Sequence, residues 1–373
     1  MIRYVLAPIA PIALIAWPAV AQTIAVDHAF TDKDGDGRIE FGAANAKLYG
    51  VPFVNANGRD GARYVYCGPK GCDAVVQALV VDPWAIAAPT TDKAATIVSP
   101  KNPSSSAWFY PKSGQVMAGY RLERALDAIP YTDGLDGLTV TDLDAARVRT
   151  LMAPLAKATA RNVRFDRIRA TCTDRCFYIR GNSANWTIRD FVLSGPGPSV
   201  SAPFSAAVQV QDEAGDILIE RGEAGGFFST SPAGYPNSDV FVAERGNARL
   251  TFRYVSAHDA TNGCFDLKSS ETLLDHVKAA RCGYGYRLWG SGRGTTVGCQ
   301  DNHACLQIAS ALTDYVIDRL EVSGTGASIV VDSHAWDKTT GRKGRLTIGS
   351  CSAPVKVANP QWAVISLGQG CVK

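Results

Sequence analysis

The chain of 373 residues carries a net charge of only +3 and no clustered run of Lys or Arg, which argues against a nucleic-acid partner. Its 35 glycines and 3 methionines favour a turn-rich β architecture over a helical bundle. Ten cysteines point to disulfide bonds and an oxidising compartment.

Residues 1–21 read as a secretory signal. Met1-Ile-Arg3 is a basic start, Tyr4 to Trp17 is apolar, and Ala19-Val20-Ala21 is a small-residue cleavage site. The apolar run, broken by Pro8 and Pro11, is too short to span a bilayer, and no later segment has the length and hydropathy of an anchor. The expected product is secreted, periplasmic or extracellular, with no membrane insertion.

Residues 22–50 contain an EF-hand-like loop, Asp32-Lys-Asp34-Gly-Asp36-Gly37-Arg-Ile39-Glu40, with carboxylates at positions 1, 3 and 5 and Gly37 at the sharp turn. Position 12, normally a bidentate glutamate, is Ala43, so Glu40 or Asp27 would have to supply the missing oxygen. The expected site holds a weakly bound Ca2+ on Asp32, Asp34, Asp36 and Glu40 and is structural or tethering. The alternative is a solvated acidic turn.

In residues 51–160, Ala74 to Val81 has the composition of a strand, and Ala85 to Gly114, rich in Pro, Ser, Thr and Lys, that of a loop. Thr141 to Met152 has a capping start (Thr141, Asp144) and an apolar stripe, which predicts a helix covering one end of the domain that follows.

From 161 to 373 a repeat dominates. An apolar-x-apolar unit recurs as Phe177/Ile179, Val208/Val210, Val240/Val242, Phe265/Leu267, Tyr286/Leu288, Leu306/Ile308, Ile329/Val331 and Val355/Val357. Second short strands lie between these units, among them 187–192, 217–219, 250–252 and 315–317. One such period is one coil of a solenoid, so the pattern predicts an all-β, right-handed parallel β-helix. Among the cysteines, Cys67/Cys72, Cys172/Cys176 and Cys299/Cys305 are close pairs and Cys264/Cys282 and Cys351/Cys371 wider ones. Zinc is the alternative to disulfides, but no His stands at a supporting spacing.

Residues between inward apolar positions point outward. One outward row reads Tyr178, Gln209, Phe241, Asp266, Arg287, Gln307, Val330, and the next Arg180, Gln211, Ala243, Lys268, Trp289, Ala309, Asp332. Rings among amides and charges suit a sugar surface, with Tyr178, Arg180, Gln209, Gln211, Trp289 and Gln307 as expected substrate contacts and polysaccharide as the expected partner. The coil pattern, the export signal and the Lys-bearing strand resemble the pectate-lyase-like β-helix proteins over about Asn162 to Cys371. Within them, Leu267-Lys-Ser-Ser270 followed by Tyr286-Arg-Leu288 is similar to the Lys and Arg of the alginate lyase and chondroitinase B type. That resemblance implies β-elimination on a uronate glycan, with Lys268 as base and Arg287 as charge stabiliser. Trp289, rather than Arg287, falls on the coil neighbour of Lys268, a departure from that type.

A like charge at Arg287 is expected to lower the Lys268 pKa, while Asp266 opposes it or forms a surface ion pair with Arg287. His258, with Asp259 in a turn before the strand, is an expected proton donor or ligand; the alternative is a polar turn. Two other functions stay open: a non-catalytic glycan-binding or structural β-helix, and a hydrolase using Asp259 and Asp266.

Overall fold

The computed structural model describes the strands Phe53–Asn55, Arg63–Gly68 and Gly71–Leu79, and residues 84–372 apart from 92–106, 108, 124, 199–203 and 229–236. The signal segment, the loop of Asp32, Asp34, Asp36 and Glu40 with its expected Ca2+, and the side chains of Cys67 and Cys72 lie outside the described residues. The chain divides into two compact units, Met1–Ala85 and Ile86–Lys373. The first contains an antiparallel three-stranded sheet in which Gly71–Leu79, the strand expected near Ala74, pairs with Arg63–Gly68.

The second unit is a parallel β-helix. Every pairing among its named strands is parallel, each coil hydrogen-bonding to the coil before and after it. Period-two alternation sends one apolar set inward, where registered positions meet: Phe241 pairs with Phe265, Phe265 with Tyr286, and Tyr286 with Leu306. The rings of Phe241 and Phe265 stack at 5.2 Å and those of Phe265 and Tyr286 at 4.9 Å. Each such pair contributes about 0.5–1.5 kcal/mol beyond its area burial.

The corners are set by left-handed residues in columns. Asn162, Asn185, Asp216, Arg249 and Glu271 form one, all at φ between 55 and 59° except Asp216 at 54°. Asp142, Arg167, Asp190, Arg221, Tyr254 and His276 form a second; Gly226, Asp259, Arg281 and Asp301 a third. Each coil is thereby folded into three faces, illustrated by 250–253, 255–258 and 265–267. A non-glycine residue in this conformation costs about 1 kcal/mol or more. Contacts along each column offset that cost: Arg249 to Asp216 at 2.6 Å, Arg221 to Asp190 at 2.8 Å and Arg281 to Asp259 at 2.6 Å. Beside the second column, registered positions alternate in sign as Asp166, Arg189, Glu220, Arg253 and Asp275. A one-residue slip would set these charges out of step, so the column defines the register.

The expected helix at Thr141–Met152 is instead the strands Thr139–Val148 and Thr150–Pro154. Asp142 and Arg147 take φ of 54°, which ends any helical run, and Leu143 and Ala145 alternate inward on the coil beneath. Stacking on a neighbouring coil outweighs the local capping signal, and the solenoid begins at Val116 rather than near 161.

Four of the expected cysteine pairs are disulfides: Cys172–Cys176, Cys264–Cys282, Cys299–Cys305 and Cys351–Cys371. They fit a protein that folds outside the reducing cytoplasm. Among the described residues, no helix is long and apolar enough to cross a membrane.

Candidate functional site

The third face carries the outward rows, and one rung differs from expectation. The inward pair is Phe241/Ala243, not Val240/Val242, because Val208 registers with Phe241 and Ala243 with Leu267. Phe241 is therefore a core ring, and the first row reads Tyr178, Gln209, Val242, Asp266, Arg287, Gln307, Val330. The slip brings Glu244 in place of Ala243 into the second row, next to Lys268. Val240-Phe-Val-Ala243 is apolar throughout, so alternation alone could not phase it. The last rung also shifts: Val357, not Val355, registers with Ile329.

Lys268 lies at the centre. Its ammonium donates to Glu244 Oε1 at 2.8 Å and to Asp266 Oδ2 at 2.9 Å. Asp266 Oδ1 accepts from the Trp289 indole N–H at 2.7 Å and lies 3.6 Å from the Arg287 guanidinium. Arg287 donates through Nε to Gln307 at 2.9 Å and lies 5.4 Å from the Trp289 ring. Asp266 is 3 % and Arg287 8 % exposed, so this is a buried network and not the surface pair expected.

The electrostatics reverse one expectation. Burial pulls the Lys268 pKa down, but the attraction of Asp266 and the hydrogen bonds to Glu244 and Asp266 outweigh it and hold the pKa above the usual lysine value. Lys268 rests as an ammonium. Asp239, on the segment leading into this rung, behaves oppositely. Burial, then the neighbouring charge of Asp266, pushes its carboxyl up to about 7 against the opposing pull of Arg287. Its Oδ1 accepts the Gly263 backbone N–H at 2.5 Å.

Two depressions meet at Lys268. A cleft of about 500 Å³ is lined by Gln211, Asp212, Glu244, Arg245, Lys268 and Trp289. A narrow crevice of about 60 Å³ reaches Gln209, Asp239, Glu244, Asp266 and Lys268. Of the expected residues, Asp266, Lys268, Arg287, Trp289, Gln307, Gln209 and Gln211 share this region. Tyr178 and Arg180 lie on coils toward the N-terminus, tied to it by Tyr178 Oη to Gln211 at 2.5 Å and Arg180 to Asp212 at 2.7 Å.

His258 is not in the turn expected; it lies within the strand Ala248–Leu267, on the second face. Its ring nitrogens meet Glu223 at 2.8 Å and Asp259 at 2.6 Å. Asp259 is a corner residue bound to Arg281, so it serves the column on that face. Glu244 and Asp239 were the residues that alternation missed. Among the described residues, no group of three or more His, Cys, Asp or Glu side chains could hold a metal. Lys268 occupies the point where Glu244 and Asp266 converge.

No protein-family model, curated protein or solved structure matches this chain. The functional reading therefore rests on the geometry of the third face.

Proposed function

We propose that this is an exported polysaccharide-processing β-helix protein, whose third face binds an acidic glycan and cleaves it by carboxyl acid–base chemistry. The observation that carries this reading is the crevice in which Asp239, Asp266 and Glu244 surround Lys268 beside an open cleft. Environments that push neighbouring carboxyls apart assign acid and base. Asp239, holding its proton up to about 7, donates it to the glycosidic oxygen as the C–O bond breaks. Glu244, the more accessible carboxylate, takes a proton from the water that attacks the anomeric carbon. Lys268 holds a uronate carboxylate at the cleft, Trp289 offers ring surface, and Gln209, Gln211 and Gln307 offer hydroxyl contacts. Glu244 then releases its proton to solvent and Asp239 takes one up, which returns both groups to their starting states.

A second reading is β-elimination, which the resemblance to the uronate lyases favours and which the stacking of Arg287 on Asp266 next to Lys268 also supports. It requires Lys268 to lose its proton when substrate displaces Glu244. Incubation with alginate, polygalacturonate and glycosaminoglycans separates the two. Hydrolysis yields reducing ends without ultraviolet absorbance from unsaturated uronate, and the product disappears in Asp239→Asn and Glu244→Gln. Unsaturated ends lost in Lys268→Ala would establish elimination instead. Binding to every polymer without product would leave a glycan-binding solenoid.

A further inference from the structure

Three aromatic rings along this side of the helix each lie beneath two cations. Arg175 and Arg180 stand 4.9 and 5.3 Å from the Tyr178 ring. Lys268 and Arg287 stand 6.0 and 5.4 Å from Trp289. Lys338 and Lys343 stand 5.7 and 5.5 Å from Trp336. The third differs from the others in how its charge is balanced. Arg175 and Arg180 pair with Asp174 and Asp212, and Lys268 and Arg287 share Asp266. Among the described residues, no carboxylate pairs with Lys338 or Lys343; Lys343 donates only to the Gln361 carbonyl, at 2.6 Å.

The placement of that third ring follows from the coil path. The edge where the third face ends is closed by short turns at 180–183, 211–214, 244–247 and 268–271. At Asp332 the same edge grows into an excursion running to Lys343. It is closed by an antiparallel bridge between Trp336 and Lys343 and by Asp337 N–H donating to Arg342 O at 2.8 Å. Asp332 anchors its base, accepting from Gln307 and from the His334 backbone N–H, and follows Trp289 by two coils in the same row. Two coils correspond to about 10 Å along the axis. The excursion therefore stands C-terminal to the Lys268 cleft on the same edge, with two ammonium groups that no described carboxylate pairs lying 5.7 and 5.5 Å from one indole ring.

We propose that the 332–343 hairpin is a distal station for an anionic polysaccharide lying along the helix axis from the Lys268/Trp289 cleft. Trp336 holds Lys338 and Lys343 in place, and the two ammonium groups take an acidic group of the chain several sugars from the cleavage point. The inference rests on the proposed function for the orientation of the glycan, and it adds a length requirement: short oligomers reach only the cleft, long ones reach both.

The test is calorimetric binding of short and long oligogalacturonates and oligoalginates to the full chain carrying Glu244→Gln, which prevents turnover under the proposed mechanism. Lys338→Ala with Lys343→Ala, added to that background, is expected to weaken long-oligomer binding about tenfold. Short-oligomer binding is expected to stay unchanged, and the salt sensitivity of long-oligomer binding to fall. Trp336→Ala should give the same pattern in smaller degree, and Lys278→Ala, a change to a lysine on the second face, should give none. Equal affinity of the double variant for long oligomers overturns the station, as does an equal loss for both lengths. If the parent protein binds no uronate oligomer of either length, the acidic-glycan reading falls and takes this inference with it.

Discussion

Replacing Asp239 with Asn removes a buried carboxyl that holds its proton to about 7. The unfolded chain releases that proton in the ordinary carboxylate range, near 4. Between those values the folded state binds more protons than the unfolded state, so stability drains away as pH rises and the loss is complete above about 7. The window spans about three pH units, which caps this group's contribution at about 4 kcal/mol. Asparagine keeps an oxygen to accept the Gly263 N–H and does not titrate. Urea denaturation from about pH 4 to pH 8 should therefore show wild-type stability falling by up to that amount relative to the variant. Asp239→Asn should be the more stable protein at pH 8 and close to wild type at pH 4. Two curves that stay parallel across the window would refute the burial argument, and with it the assignment of Asp239 as the acid.

Phe265→Ala opens the aromatic stack between Phe241 and Tyr286, and should cost about 3–5 kcal/mol in a urea melt, since Phe265 is fully buried. Gly222→Ala drives a methyl group into the Phe191 ring and should lower stability by about 1–3 kcal/mol, a loss that the further change Phe191→Leu should partly restore. Lys268→Met leaves Asp266 with only Trp289 and Arg287, and is expected to cost about 1–3 kcal/mol. It should also raise the Asp239 pKa further, since Lys268 pulls that pKa down; a pH–stability profile shifted to higher pH would register this. Removing Cys264–Cys282 by a pair of alanines should cost about 3 kcal/mol, read as a lower thermal midpoint.

The solenoid was legible because its inward positions repeat with few interruptions. Phe177, Val208, Phe265, Tyr286, Leu306 and Ile329 stand on one registered line, as period-two reading expects. Reading failed where hydrophobicity loses its phase. The four apolar residues at 240–243 hide which two face inward, and that ambiguity concealed Glu244, the closest partner of Lys268. It failed again at Thr141–Met152, where apolar spacing fits a helix but left-handed residues at Asp142 and Arg147 bend a strand. The sign of the Lys268 shift was beyond a one-dimensional reading, because Glu244, the carboxylate that joins Asp266 in setting it, arrives from the neighbouring coil.

The outward rows assemble their chemistry one residue per coil while the interior repeats beneath them. Duplicating a single coil in the gene would lengthen the outward rows by one rung and leave the existing rungs in place. Such a molecule can evolve reach and chemistry separately, as a ruler whose markings are rewritten without recasting its body.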